Sequence, residues 1–339
     1  MLHDQVCVES VACELPPNVV STVSIFEELS ATLERLEVVP ERLIALSGVE
    51  ERRFWDPGVR LSELGAMAAR KALAASDVPP GHIGCLISTS VCKDYIEPSM
   101  ASLIHGELGC LPDNCLNFDI GNACLGFLNG MSIAAELISK RTITAALVVD
   151  AESAREVTEA TIERLGKPDV DAVTFRSQFA ALTLGSGAVA TVLTHKSLSK
   201  HHHHLTGHVA LSDTRNSRLC LGQPTEMVTD SKGLLEAGIG LAERTFELAC
   251  QTFGWTRQNI DLFVCHQVGA THQRALFDRL GLDLSKAFLT YPYLGNVGPA
   301  SVPLTLALAR DRGRVKKGQR LALMGIGSGL NCSMMEILW

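Results

Sequence analysis

The chain has 339 residues, 46% hydrophobic and 20% charged, which is enough apolar material for a large globular core. Its formal net charge is −7, with acids and bases interspersed, which argues against nucleic acid as a partner. The N-terminus lacks a basic cluster, and no apolar run reaches the roughly 18 residues of a membrane span, so we expect a cytoplasmic protein without stable membrane insertion.

Short apolar runs rich in β-formers alternate with longer helical patterns, which predicts a layered α/β fold. The strands read as continuous apolar runs, as in IGCLISTS and QRLALMGIG, and so are expected to be buried on both faces. In chain order we predict helix 61–76, strand 83–90, helix 128–140, strands 145–153 and 189–194, helix 232–254, strand 260–267, helix 302–313 and strand 319–327.

Two parts of the chain repeat one order of elements: a strand, a Gly-Asn turn that opens a helix, and a second strand. Gly121 is as far along the chain from Leu147 as Gly295 is from Leu321. Equal spacing with matching turns favours an internal duplication. We therefore predict two halves, residues 1–195 and 205–339, with the starts of the two repeated helices facing each other.

The 11 cysteines include no CxxC pair, and several lie in apolar runs, such as Cys85 in IGCLIS. Free thiols that act as small core residues are typical of a reducing compartment, and the ligand spacing of a structural zinc site is missing. The run His201–His204 follows a polar segment and is predicted to be a solvated surface loop without a native metal.

One cysteine differs from the others. Cys124, in FDIGNACLGFLNG, follows small residues and precedes an apolar helix. The positive end of a helix dipole favours a thiolate, and the N–H groups there can receive an oxyanion. A cysteine suits acyl transfer because its thioester keeps the acyl group activated. The alternative is a buried structural cysteine.

Three further features follow predicted strands or open a helix. His266 comes directly after a buried strand, at the edge where sites form in open α/β sheets. Asn296, between glycines in LGNVGPAS, has an amide that can donate to an oxyanion. The turn GIGSGLN, 325–331, presents backbone N–H groups but lacks the spacing of a dinucleotide fingerprint. Each could also be an ordinary capped histidine or turn.

Together these features resemble the ketoacyl-synthase III branch of the thiolase superfamily, and within it the OleA-like enzymes that condense acyl-CoA. The matching stretches lie between residues 48 and 335 and include GVEERRFWD, EPSMAS, GNACLGF, CHQVG, GNVGPAS and GIGSGLNCSM. The resemblance implies a thiolase fold of duplicated halves in five αβαβα layers. It also implies a Cys–His–Asn set of Cys124, His266 and Asn296.

By the same resemblance, two fatty acyl-CoA molecules would condense head to head to a 2-alkyl-3-keto acid through an acyl thioester on Cys124, with no cofactor. Ser328 and Gly329 would help to hold the acylation oxyanion. A condensation without decarboxylation needs a base, and Glu97 matches the glutamate with this role in OleA-like enzymes. Its alternative is a carboxylate at a helix start. Candidate residues for an acyl tunnel are Phe127, Met131 and Phe179.

Several alternatives stay open. A decarboxylative ketoacyl synthase that uses malonyl carrier protein would have the same triad, as would an acyltransferase to a hydroxyl group. A subunit of a heteromeric condensing enzyme in β-lactone biosynthesis is another, although the full triad argues against a dead subunit. A thiolase is disfavoured because Cys332, after GLN, is predicted to be packed. We expect a homodimer through residues 115–120, while a heterodimer with a paralogue stays open.

Overall fold

The computed structural model describes all residues from Met1 to Trp339. Its α/β composition follows the predicted alternation, and each predicted strand and helix is found within a few residues of its expected bounds. The strands are β1 (Val6–Glu14), β2 (Asn18–Ser21), β3 (Glu51–Phe54), β4 (Ile83–Ser88), β5 (Leu116–Asp119), β6 (Ala145–Glu152), β7 (Gly187–His195), β8 (His204–Ser212), β9 (Cys220–Gln223), β10 (Glu226–Thr229), β11 (Leu262–Cys265), β12 (Arg320–Gly327) and β13 (Asn331–Leu338).

The α-helices lie between these strands, and short 3₁₀ turns precede two of them at the places that matter for the site. The helices are α1 (Thr22–Glu28), α2 (Ser30–Arg35), α3 (Pro40–Ser47), α4 (Leu61–Ala74), α5 (Met100–Leu108), α6 (Gly126–Ser139), α7 (Arg155–Leu165), α8 (Ala172–Gln178), α9 (Ser231–Phe253), α10 (Ala270–Leu280), α11 (Tyr291–Leu294) and α12 (Ser301–Asp311). None of them is long and apolar enough to cross a membrane.

The main strands follow one order, β11-β12-β13-β8-β1-β7-β6-β4-β5. From β1 outward, β7 and then β6 pair antiparallel, and β4 is parallel to β6. From β8 outward the same sequence occurs, because β13 and β12 pair antiparallel and β11 is parallel to β12. The two halves meet where Cys7 in β1 pairs with His204 in β8. The structure therefore has the predicted duplicated halves, while the division at 1–195 and 205–339 stays our proposal.

Three apolar clusters account for the layers. The largest contains α6 and α12 with the inner faces of both sets of strands. A second packs α4 and α5 on one outer face, and a third packs α9 and α10 on the other. Since a sheet buried on both faces needs continuous apolar runs, this layering explains why β6 is buried along its whole length. The order of layers is αβαβα, the thiolase fold.

Apart from β5, which lies in the apolar segment 115–120 expected at a dimer interface, three strands of the main sheet, β1, β8 and β13, were not predicted. Buried polar residues interrupt the apolar pattern of two of them. Glu9 in β1 accepts a hydrogen bond from Ser199 Oγ at 2.6 Å, and Glu336 in β13 accepts one from Trp255 Nε1 at 2.6 Å. Partners of this kind, far away in sequence, make the burial of a carboxylate tolerable but leave no local signal.

The histidine run was only partly a surface loop. His201 and His202 are exposed, whereas His203 is half-buried with its ring stacked 3.9 Å from that of Trp339. His204 is the first residue of β8. His201, Glu9 and Asp77 form a group of side chains of the kinds that bind metal ions, with His201 Nε2 4.0 Å from Glu9. Asp77 already forms an ion pair with Lys200, whose Nζ lies 2.8 Å away.

Candidate active site

Cys124 lies in a tight turn that is completed before α6 begins. The turn Ala123–Leu125 is 3₁₀, and Ala123 adopts a φ of 45°, a left-handed conformation that is uncommon outside glycine. The Leu125 N–H donates to the Asn122 carbonyl at 3.0 Å. Gly126 then starts α6, and a Cβ on it would lie 2.7 Å from the Thr89 carbonyl oxygen. The helix thus begins two residues after Cys124, against the end of β4.

The C-terminal half packs directly on this turn. An added Cβ at Gly327 would lie 3.3 Å from the backbone nitrogen of Cys124, so only glycine lets β12 approach so closely. Asn331 Nδ2 donates to Asn122 Oδ1 at 3.3 Å, and Asn122 Nδ2 donates to Asn129 Oδ1 at 2.7 Å. Ser328 and Gly329 follow Gly327 directly, in the turn between β12 and β13. The predicted N–H-rich turn therefore lies beside the nucleophile turn.

His266 follows β11 at its carboxyl end, as predicted. Its N–H donates to the Met324 carbonyl of the neighbouring β12 at 2.8 Å. The side chain is 8% exposed and its Nδ1 makes no hydrogen bond. Burial, together with the nearby His272, lowers the pKa of His266 to about 4, so the imidazole is neutral at physiological pH. A neutral ring can donate a hydrogen bond from Nε2 to an oxyanion.

Asn296 is held by the N-terminal half. Its N–H donates to the Thr183 carbonyl at 2.9 Å, and its carbonyl accepts from the Gly185 N–H at 2.9 Å. The side-chain Oδ1 accepts the Gly298 N–H at 3.0 Å, which leaves the amide NH₂ for another acceptor. The 3₁₀ turn Gly298–Ala300 packs against the Cys124 turn. It precedes α12 in the same way that the Cys124 turn precedes α6. In the repeated Gly-Asn turn itself, Asn122 rather than Cys124 is the counterpart of Asn296.

The expectation of a thiolate at rest is wrong. Burial, then the neighbouring Cys220 and Glu152, raise the pKa of Cys124 to about 12. The side chain lies in the 3₁₀ turn before α6, and desolvation of the charged form is the largest cause of the shift. Cys124 is therefore a thiol at neutral pH.

Glu97 is not with the triad in a single chain. It is exposed on the segment Val91–Pro98, called the arm below, whose tip residue Ile96 is 99% exposed. The α5 helix starts at Met100 with Ser99 as its N-cap, and its first turn contains no acidic residue. The carboxylate that meets this helix start is that of Asp119, which accepts the Met100 and Ala101 N–H groups. Glu97 is therefore not the carboxylate that stabilises the start of α5, which was the alternative to a catalytic role.

The arm is stiff at its base although its tip projects. Asp94 accepts the N–H groups of Leu61 at 2.7 Å and Ser62 at 2.9 Å, at the start of α4. Lys93 Nζ pairs with Asp119 at 2.8 Å. Each contact ties the arm to a different neighbouring element, so the direction in which Glu97 projects is fixed by the fold.

The tunnel candidates separate into two groups. Phe127 and Met131, both on α6, are buried in the central core. Phe179 packs in a different cluster with α1 and α2, where its ring lies 6.3 Å from that of Phe175. The structure does not bring Phe179 together with the other two, so the acyl-binding role of all three stays a prediction.

Sequence reasoning missed several residues around the site. Glu152 and Asp150, at the end of β6, form a buried acidic pair that looked like ordinary strand residues. His272, on α10, is half-buried and close enough to His266 to affect its pKa. Cys332 is packed as predicted, but Cys110 is exposed and is not a core residue. Two acids spaced by one residue in a strand share a face, which was the available signal for the pair.

Comparison with known proteins identifies the family. The model of the 3-oxoacyl-[acyl-carrier-protein] synthase III family matches residues 118–213, and the model of its C-terminal part matches residues 250–339. The chain belongs to this family. It is a thiolase-superfamily condensing enzyme, and the two matched regions carry Cys124 in the first and both His266 and Asn296 in the second.

Relatives within the family cover the whole chain. The acyl-CoA:acyl-CoA alkyltransferase of Xanthomonas campestris is 44% identical over 339 residues, with 100% of both chains covered. That of Shewanella oneidensis is 37% identical over 351 residues, again with both chains covered in full. The crystal structure of a Cys-to-Ser variant of Xanthomonas campestris OleA with bound lauric acid and lauroyl-CoA superposes with a TM-score of 0.97 at 43% identity, covering 100% of each chain. The condensing enzyme thus shares its fold with OleA along its full length.

Proposed function

We propose that this condensing enzyme joins two fatty acyl-CoA molecules by a Claisen condensation without decarboxylation, through an acyl thioester on Cys124. The observation that carries the proposal is the pairing of two unlike features. Cys124 lies in a turn where the two halves meet, beside the turn that follows Asn296, and a projecting arm holds a carboxylate, Glu97, that no helix start requires. The names of the relatives, and the lauroyl-CoA bound to OleA, support the choice of substrate.

The first half-reaction is acyl transfer to Cys124. The thiol loses its proton as Sγ attacks the carbonyl carbon of the first acyl-CoA, and the oxyanion formed is stabilised by N–H groups of the Cys124 turn and of the Ser328–Gly329 turn. Collapse of this intermediate breaks the bond to the CoA sulfur, which leaves as coenzyme A after taking up a proton. The acyl group then remains on Cys124 as a thioester.

The second half-reaction forms the carbon–carbon bond. The Glu97 carboxylate removes a proton from the α-carbon of the second acyl-CoA, while the His266 ring and the Asn296 amide donate hydrogen bonds to the enolate oxygen. The α-carbon attacks the thioester on Cys124, and the carbon–sulfur bond to Cys124 breaks. The product is a 2-alkyl-3-ketoacyl-CoA, whose hydrolysis yields the keto acid and coenzyme A.

Because Glu97 is exposed on a projecting arm, we propose a homodimer in which it reaches the site of a second chain. The strand β5 is at the edge of the main sheet, with Leu116 51% exposed, and offers unpaired backbone groups to another copy. The arm beside it carries the exposed apolar residues Val91, Tyr95 and Ile96, which suit a protein interface better than solvent. In this arrangement each arm would enter the site of the other subunit. A heterodimer with a paralogue would use the same surfaces.

The remaining parts of the proposal follow from the chemistry. Every bond made or broken involves acyl-CoA and side chains of the enzyme, so the reaction needs no cofactor. We further propose a cytoplasmic location, where acyl-CoA thioesters are the available form of fatty acid.

One incubation tests the proposed function. Purified enzyme is given lauroyl-CoA, either alone or together with malonyl carrier protein, and the products are analysed by mass spectrometry. Release of coenzyme A together with the β-keto acid, or the ketone that it forms on loss of carbon dioxide, supports the proposal. A strict requirement for the malonyl substrate would instead show the decarboxylative synthase that the triad equally allows.

A further inference from the structure

The arm begins at a buried carboxylate that the mechanism does not use. Glu152, the last residue of β6, is 5% exposed. Its Oε1 accepts the Val91 N–H at 2.6 Å, and its Oε2 accepts the Cys92 N–H at 3.2 Å. Hydrogen bonds from backbone N–H groups to a buried carboxylate are charge-assisted and stronger than neutral ones. The first two residues of the arm are therefore fixed to the end of β6.

This contact extends the pairing of β4 with β6, with side-chain oxygens as acceptors in place of backbone carbonyls. The Thr89 N–H donates to the Val149 carbonyl at 2.9 Å, and the Ala151 N–H donates to Ser90 Oγ at 2.9 Å. Beyond Ser90 the chain leaves β6, and the side chain of Glu152 serves as the acceptor for the next N–H groups. Two acceptor oxygens on one side chain define both the place and the direction in which the arm departs.

The same carboxylate also touches the active site. A Cβ on Gly298 would lie 3.8 Å from Glu152 Cδ, and the Gly298 N–H is the one held by Asn296 Oδ1. The charge of Glu152 is also among the causes that raise the pKa of Cys124. Glu152 thus lies between the turn that positions Asn296 and the base of the arm, and it connects the two.

Asp150 is a second buried acid close to Glu152. Asp150 is 0% exposed, its Oδ2 accepts a hydrogen bond from Thr89 Oγ1, and its Oδ1 has no partner. Burial, followed by the charge of Glu152, raises the pKa of Asp150 well above its ordinary value, so this acid is held in its neutral form. Burial also raises the pKa of Glu152 to about 7, while hydrogen bonds from Cys92 and Val91 oppose that rise. With Asp150 neutral, Glu152 is the member of the pair that ionises near neutral pH.

We propose that Glu152 is a positioning residue for the condensation step: it fixes the arm so that Glu97 stands at Cys124 of the partner subunit. The proposal rests on the role proposed for Glu97. Glu152 supplies no group to the acylation step, and loss of its charge, which raises the pKa of Cys124, should not slow that step. Loss of the carboxylate should therefore separate the two half-reactions.

The test uses Glu152→Gln, which keeps the size of the side chain but removes its charge and one acceptor. Amide hydrogen exchange of the peptide that spans the arm should become about tenfold faster, since glutamine leaves a single neutral acceptor oxygen for the Val91 and Cys92 N–H groups. Condensation of lauroyl-CoA should fall about tenfold or more, as expected for a misplaced reacting group. Acylation of Cys124, measured by intact mass in a single turnover, should not fall, because removal of the Glu152 charge favours the thiolate.

Asp150→Asn is the matched control. Asparagine still accepts from Thr89 and supplies an N–H where the acid supplied an O–H, so exchange in the arm and both rates should stay close to the original. If Glu152→Gln does not fold, Glu152→Asp is the second variant, since it keeps the charge but withdraws it by one methylene from Val91 and Cys92. The same separation of rates is expected.

Unchanged exchange in the arm, or an equal loss of acylation and condensation, would overturn the proposal for Glu152. Its failure is distinct from that of the proposed function. If Glu97→Gln condenses at full rate, the base assignment fails, whereas if that variant is inactive in condensation and Glu152→Gln is not, only the positioning role fails.

Discussion

The Cys124 turn and the Glu97 arm are opposite in almost every structural respect. The turn is enclosed by both halves of the chain, with Gly327 and Asn331 packed on it from the C-terminal half. The arm leaves the same edge of the sheet but points outward, with its tip exposed and only its base held. The Cys124 turn is complete within one chain, whereas Glu97 on the arm is exposed on the surface of that chain.

The difference suggests a division of labour between the two regions. Acyl transfer needs a desolvated nucleophile and fixed N–H donors, which a packed junction supplies. Proton abstraction needs a carboxylate that reaches the second substrate after the first is in place. The fold can provide both when the nucleophile belongs to the core and the base to an arm that is stiff at its root. The half-reactions should then respond differently to changes in the two regions.

The largest effect should come from the turn. Cys124→Ala removes the proposed nucleophile, so release of coenzyme A should fall to background and condensation should stop. Peptide mapping of the unaltered enzyme after exposure to lauroyl-CoA should find the acyl group on the peptide that contains Cys124. An acyl group on Cys85, Cys265 or Cys332 would show that the turn is not the nucleophile site.

The next effect should come from the arm and should spare the turn. Glu97→Gln keeps the size of the side chain but cannot take a proton, so condensation should fall by roughly 10²-fold, the usual contribution of a positioned general base. Acylation of Cys124 should survive, because it needs no α-proton removal. Equal loss of both steps in rapid-quench measurements would mean that Glu97 supports the structure of the site.

A smaller change sharpens the role of the junction. Gly327→Ala places a Cβ 3.2 Å from the Leu125 nitrogen and 3.3 Å from the Cys124 nitrogen, too close without a shift of the turn. Acylation should slow by about tenfold, and condensation should fall with it. Gly222→Ala is the control, since a Cβ there meets nothing within 4 Å. Equal acylation rates in both variants would show that the close approach of β12 does not matter.

The smallest effect concerns pH. Because the pKa of Cys124 is raised to about 12, the thiolate fraction grows with pH throughout the neutral range, whereas His266, with a pKa lowered to about 4, stays neutral. Single-turnover acylation should therefore rise between pH 7 and 8, by at most about tenfold. A flat profile would indicate that a neighbouring base removes the thiol proton during the attack.

Much of the Cys124 region was predictable from the sequence. The repeated strand, Gly-Asn turn and helix placed Cys124 and Asn296 at the starts of matching helices, and the position of His266 after an apolar strand placed it at the same edge. These predictions succeeded because duplicated α/β units leave a local pattern of apolar runs and turns. The ionisation of Cys124 was not predictable, since burial by β12 and the charge of Glu152 come from residues far away in sequence.

The arm was much less predictable. Val91–Pro98 has no periodic pattern, and only the resemblance to a known family singled out Glu97. The carboxylates that hold the arm at its root, Glu152, Asp94 and Asp119, act on backbone N–H groups, which any sequence provides. The strand β1 was missed for a similar reason, since its buried Glu9 depends on Ser199. Contacts between a distant carboxylate and backbone groups leave no trace in composition or period.

The central claim is that a nucleophile from one chain works with a base from another, and a mixed dimer tests it most directly. Chains carrying Cys124→Ala and chains carrying Glu97→Gln are each nearly inactive in condensation when alone. In a mixed dimer with the base acting across the interface, one site has both defects and the other has an intact Cys124 and an intact Glu97. Mixing the two variants should therefore restore condensation of lauroyl-CoA. If each Glu97 served the Cys124 of its own chain, every site would have one defect, and a mixture that stays inactive would contradict the account.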